Sequence, residues 1–247
     1  QSQNEDGERE QIRRYLSTLS EEARLEMLLD YLERDKSVWQ ALLAKEHPKD
    51  QSLSYNELKK KITQALPRKQ LWDWGDVSDY FAQAEEQLDW VFDVAMQLAT
   101  DQQWKLIQHT VTRLNSVLEQ IDDSNGERSG VEALINVQMP MILNRLEWSE
   151  EEKAQWMFER MTHHEFDVYP SIETDFAIVW QSNPTFLHLC RKAIENTPLN
   201  RENAWDLNTW AAPLLAMATD WHEVIAIKQK IAWRCDDFLD IVQLYLE

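Results

Sequence analysis

"VSDYFAQAEEQLDWVFDVAMQLA", residues 77–99, decides how this chain is read. Val77, Tyr80, Phe81, Ala84, Leu88, Val91, Phe92, Ala95, Leu98 and Ala99 recur at helical spacing over about six turns, which marks one buried helical face. Trp90 and Val94 lie off that stripe, so a second face is also apolar and the helix meets more than one neighbour. Beyond Thr100 and Asp101 a second stripe runs through Trp104, Ile107, Val111, Leu114, Leu118 and Ile121. A link that short predicts an antiparallel helical hairpin.

The same grammar extends in both directions. Ser20 precedes acids and an apolar stripe of Leu25, Leu28, Leu29 and Leu32, and both Ser54 with Glu57 and Ser149 with Glu152 have capping-box spacing. Further stripes cover residues 131–146, 150–161, 171–182, 184–195, 205–219, 221–233 and 236–246. Pro140 and Pro213 fall inside two of them, where each starts or kinks a segment. Four glycines and seven prolines are too few for the turns of an all-β chain. The expectation is an all-α protein of about eleven or twelve helices. No fixed repeat period is visible, so the helix pairs are expected to stack as an irregular α-solenoid, a HEAT/TPR-like superhelix. Residues 1–247 read as a single elongated helical domain, with a polar linker over 1–10 and a division near 121–130 into halves 1–121 and 131–247. The start at Gln1 rather than Met predicts a segment of something longer.

Forty-four acids against 25 bases give a net charge of −19. Such a surface repels phosphate backbones and anionic membranes, so direct nucleic-acid binding needs a local basic patch. One exists, with Lys59, Lys60, Lys61, Arg68 and Lys69 inside residues 49–70, although a solvated helix face accounts for it equally well. Two cysteines, Cys190 and Cys235, sit in helical patterns, and no apolar run is long enough for a membrane span. The expected setting is reduced and cytoplasmic. Twelve tryptophans are many for a helical chain, and their first use is broad packing between helices.

Taken in order, "LSEEARLEMLLDYLERDKSVWQALLAK", "DWGDVSDYFAQAEEQLDWVFDVAMQL", "VTRLNSVLEQIDDSNGE" and "EEEKAQWMFERMTHHEFDVYPSIETDF" resemble the helical region that accompanies SWIM-type zinc fingers in uncharacterised bacterial proteins. The resemblance covers roughly residues 12–200. It implies a helical region of unknown role beside an upstream finger that binds nucleic acid or protein. The finger's Cys-x-Cys and Cys-x-His pairs are absent here, and no ligand or catalytic residue carries over.

Three stretches invite a site reading. "EQIDDSNGERSGVE", residues 119–132, sets Asp123, Asn125, Gly126 and Glu132 at calcium-loop spacing, but Ile121 stands where the first carboxylate must be. The better reading is a mobile, solvent-exposed connection over 122–130, with Ser129 as N-cap and Glu132 completing a capping box. His163, His164 and Asp167 in "MTHHEFDVYP" are metal-ligand types, yet consecutive histidines cannot face one ion from a regular helix, so a solvated loop is the simpler reading. "HEVIAIK" carries Ala226 where a zincin needs its second His. Asp236 and Asp237 would blunt a Cys235 thiolate, and His188 points away from Cys190.

The expected function is therefore a non-enzymatic interaction or scaffold module with a protein or peptide partner and no cofactor. Trp72, Trp74 and Trp90 are candidate contacts beside the basic patch. The alternative is a nucleic-acid-associated accessory domain using residues 59–69.

Overall fold

The computed structural model describes residues 15, 19–32, 53–162 and 166–246. They form eleven helices, all α, with no extended strand. Two compact units are present, one ending at Ser52 and the other spanning Leu53–Glu247. In the first, α1 (Glu21–Leu32) begins as expected at Ser20, whose Oγ accepts the Ala23 N–H at 3.2 Å. Leu25 and Leu28 of the expected stripe are exposed on it.

The second unit starts with α2 (Tyr55–Ala65), α3 (Trp74–Ala95), α4 (Thr100–Leu118) and α5 (Ser129–Arg145). The capping box at the head of α2 is complete, with Ser54 N–H donating to Glu57 Oε2 at 2.9 Å and Glu57 N–H to Ser54 Oγ at 3.4 Å. Helix α3 starts a turn earlier than its apolar stripe because Asp73 caps Gly75 and Asp76. It also stops earlier, at Ala95, where the bonds of the last turn tighten: Met96, Gln97 and Leu98 donate to carbonyls three residues back. The end is stable because buried Gln103, from α4, donates its amide to the Leu98 carbonyl at 2.7 Å and to the Met96 carbonyl at 3.4 Å.

The hairpin packing expected from the short link does not form. Helices α3 and α4 follow each other but are not closely packed neighbours. Instead α2 packs on α3 and α4, and α5 packs on the same two. The four close into a ring in which α3 and α4 are diagonal. The two-faced apolar pattern of α3 has this cause, since one face meets α2 and the other α5.

Beyond the ring come α6 (Glu150–Thr162), α7 (Ala177–Trp180), α8 (Pro184–Asn196), α9 (Ala204–Met217), α10 (Trp221–Ile231) and α11 (Cys235–Leu246). The Ser149–Glu152 capping box forms as expected. Asn183 is fully buried, caps α8 through the Phe186 N–H, and donates to the Glu150 carbonyl, so it pins the start of α8 to that of α6. Helices α6, α8 and α9 pack mutually, and α8 through α11 each pack on the next. One continuous core runs from Leu58 to Ile231 across the turn at 121–130. Helix α11 belongs instead to a small separate cluster of Ile225, Ala232 and Ile241, with Leu244 against it.

Candidate functional site

The fold brings the basic patch together and enlarges it. Lys59, Lys60, Lys61, Arg68 and Lys69 are all exposed on α2 and the segment after it. Lys61 lies over the Trp90 ring of α3 at 5.8 Å, and Lys69 over Tyr80 at 6.0 Å. Facing them across the α2–α4 seam are His109 and Arg113 of α4. Arg113 Nε donates to the Leu66 carbonyl at 2.7 Å, and the Arg68 guanidinium donates to Ser116 Oγ from Nη2 at 2.6 Å and Nε at 3.0 Å. His109 Nε2 meets Thr63 Oγ1 at 3.1 Å. Burial, then the charges of Lys59 and Arg113, hold the His109 pKa below the ordinary imidazole value. Among the described residues none of these cations has a carboxylate at ion-pairing distance. The linear sequence shows the α2 half of this strip and misses the α4 half, whose signal is only the one-turn spacing of His109 and Arg113.

Trp72 and Trp74 flank the next element and are 73 % and 64 % exposed. Between the patch and these rings Leu71 forms a short parallel bridge with Ile121, fixing the chain before α3 to the chain after α4. Trp74 Nε1 donates to Glu127 Oε1 at 2.7 Å. Trp90 is half-buried against the core, with Lys61 over its ring.

The turn after Ile121 departs from expectation in two ways. Ser129 is the first residue inside α5, not its cap; Arg128 occupies the cap position without a side-chain cap. Nor is the turn a loose connection. Arg128 Nη1 bonds Asp123 Oδ2 at 2.6 Å while its Nε bonds Glu132, and the Asp123 side chain is only 3 % exposed. These pairings and hydrogen bonds push the Arg128 pKa up. An arginine thus occupies the ring of carboxylates that at first reading resembles a cation loop. Gly126, at φ 77°, supplies the left-handed residue the turn needs.

His163 and His164 lie outside the described residues. Asp167 is exposed and borders a cleft of about 320 Å³ with Thr112, Asn115, Ser116, Glu119 and Phe166. Asn115 clamps this segment to α4 through paired bonds with Val168, accepting its N–H at 2.9 Å and donating to its carbonyl at 2.8 Å. Among the described residues no three His, Cys, Asp or Glu side chains gather closely enough to hold a metal. Cys190 is buried, its thiol pushed up to about 12 chiefly by burial and then by Glu173, while Cys235 is exposed.

The C-terminal end carries an apolar surface that sequence reasoning did not single out. Phe238, Leu239, Val242 and Tyr245 of α11 are between 54 % and 65 % exposed, and Trp221 of α10 meets Tyr245 edge-on at 6.2 Å. The apolar stripe is plain in the sequence, but a stripe does not tell which part faces neighbours. Nearby, Ile194, Leu214 and Ile227 floor a shallow groove between α8, α9 and α10, spanned by an Arg191–Glu223 ion pair of 2.7 Å.

Comparison with protein-family models, with curated proteins and with solved structures finds no match.

Proposed function

We propose that this chain is a non-enzymatic interaction module that engages a protein or peptide partner through the outward face of α11. The observation that carries this reading is the run Phe238, Leu239, Val242 and Tyr245, exposed together on one helix with Trp221 beside it. Contiguous exposed apolar surface of this kind is characteristic of docking faces, and Phe238, Val242 and Tyr245 have the i, i+4, i+7 spacing that seats in a partner's groove. Among the described residues five exposed tryptophans, at 72, 74, 205, 221 and 233, support an interface reading, since Trp is enriched where binding energy concentrates.

In this reading the module is an irregular helical stack, akin to the helical region accompanying SWIM-type zinc fingers, in a bacterial and cytoplasmic protein. The free thiols of Cys190 and Cys235 suit a reducing compartment. Among the described residues no helix is long and apolar enough to cross a membrane.

The test is affinity capture from cells that express the protein, comparing the full chain with a Phe238→Asp, Val242→Asp variant whose melting temperature is unchanged. A partner retained by the parent and lost from the variant is the expected result. An identical set on both, or nothing specific on either, overturns the reading. A second reading, a nucleic-acid accessory role through residues 59–69, draws support from cations that have no carboxylate partner among the described residues and is opposed by the net charge of −19.

A further inference from the structure

We propose that the α2–α4 seam is a second binding site, a strip that takes an extended acidic peptide segment along Lys59, His109, Arg113, Arg68 and Lys69. This stands apart from α11 in residues and in chemistry.

Three observations converge. The strip is positive in a chain whose surface is otherwise strongly acidic. Its fixed cations are held by neutral partners: the Leu66 carbonyl for Arg113 and the Ser116 hydroxyl for Arg68. Those bonds set position without neutralising charge, so the guanidiniums are ordered and still electrostatically unsatisfied. Finally, the residues are arranged in a line. His109 to Ser116 advances about 10 Å along α4, while alternate side chains of an extended peptide recur roughly every 7 Å on one side. Two or three carboxylates of one segment therefore match the strip, and a single small anion covers only part of it.

The same charge distribution favours a peptide over a nucleic acid. Repulsion from the remaining acidic surface grows with ligand charge, and a nucleic acid carries one charge on every nucleotide. His109 adds a pH dependence. The charged groups acting on it are Lys59 from α2 and Arg113 from its own helix. Those of α5 are turned elsewhere, Glu132 to Arg128 and Arg145 to Gln103. A carboxylate laid beside His109 offsets the two cations and favours the imidazolium, so binding takes up a proton and tightens as pH falls.

The experiment is fluorescence anisotropy on the full chain at low ionic strength, with a fluorescein-labelled peptide bearing three glutamates at alternate positions among serines, a labelled oligo-dT strand, and inorganic phosphate as competitor. The peptide is expected to bind saturably, more weakly with added salt and with rising pH. Binding falls roughly tenfold in a Lys59→Glu, Lys69→Glu variant, since each reversed exposed charge acts on the scale of surface ion pairs. Lys192→Glu, on exposed α8 surface, leaves it unchanged, and matched melting temperatures show that the variants fold. Absence of saturable peptide binding, or binding indifferent to the Lys59 and Lys69 reversals, overturns the proposal. Preference for oligo-dT overturns it in favour of a nucleic-acid strip, and displacement of the peptide by phosphate at comparable concentration overturns it in favour of a single-anion site.

Discussion

Asp123 accepts two bonds from Arg128, one from the guanidinium and one from the backbone N–H, through a carboxylate almost wholly removed from solvent. Replacing it with alanine strands the Arg128 fork and one helix-start donor, so Asp123→Ala is expected to cost about 1–3 kcal/mol. The measurement is a lower urea midpoint at unchanged slope; an unshifted midpoint would show that the clamp contributes nothing. Gly126 is a separate demand. An added Cβ there meets nothing within 4 Å, so any loss in Gly126→Ala is purely conformational, about 1–2 kcal/mol for a left-handed residue. That glycine is legible in the sequence because positive φ is a local requirement. The Arg128 clamp is not, because it depends on α5 beginning one residue beyond the arginine rather than at the expected Ser129 cap. The Cys190 thiol answers first to burial and then to Glu173. With its folded pKa raised to about 12, Cys190 stays protonated and unreactive. Its contribution to stability is complete below the unfolded thiol pKa of about 8.5 and is lost as pH rises toward the folded value. Native protein should label at Cys235 only with a maleimide, and at both cysteines in denaturant; a second native label would mean that the α6–α8 packing around Cys190 opens.

Gln103 does at the level of elements what a helix cap does within one. Its amide satisfies the last carbonyls after α3, and its oxygen accepts from Arg145 Nη2 at 2.9 Å at the end of α5. Three elements therefore share one buried polar group. Gln103→Leu keeps volume but orphans those carbonyls and the arginine, and about 1–3 kcal/mol of stability is expected to go with them. A loss below a few tenths would show that water replaces the amide at no cost. The tryptophans divide in the same way. Trp104 packs edge-on against Trp148 and Trp156 with centroids 5.9 Å and 5.1 Å away, so Trp104→Ala should cost about 3–5 kcal/mol. Trp72→Ala, at an exposed site, should stay within about 0.5 kcal/mol. Most helix positions and the capping boxes at Ser54 and Ser149 are readable because each is written within a few residues, whereas the stripe over 171–182 is helical only at Ala177–Trp180 and the box expected at Ser129 does not form. The partner of each helix is not readable. The stripes on α3 and α4 are equally well satisfied by packing on each other or, as they do, on α2 and α5. A short link limits distance without dictating adjacency.

At the scale of the whole second unit, apolar burial is unevenly shared. The ring of α2 to α5 and the helices up to α10 contribute to one core, whereas the buried apolar attachment of α11 is the small cluster of Ile225, Ala232, Ile241 and Leu244, flanked by the Trp221–Tyr245 ring contact and the Lys228–Asp240 ion pair. The basic strip and the α11 face are both properties of this assembled body. The strip exists only once α2 and α4 lie together, and the α11 face is exposed only because nothing in the unit covers it, so neither could be read from a linear pattern that shows cations and stripes without neighbours. Local stability follows the number of apolar contacts an element keeps. Helix α11 should therefore open well below the free energy of global unfolding, while Trp104, Ile107, Val111 and Leu114 of α4 exchange only on full unfolding. Native-state hydrogen exchange should show α11 amides reaching free exchange at low denaturant, with those of α4 following the global transition. Ile241→Ala should weaken protection in α11 without moving α4, because it removes a contact of the small cluster only. Phe238→Gln should change neither, because its ring lies in solvent. If α11 and α4 amides share one denaturant dependence, the small cluster is energetically continuous with the main core. The docking face would then be as rigid as the ring, and a partner would find it preformed rather than ordering it on binding.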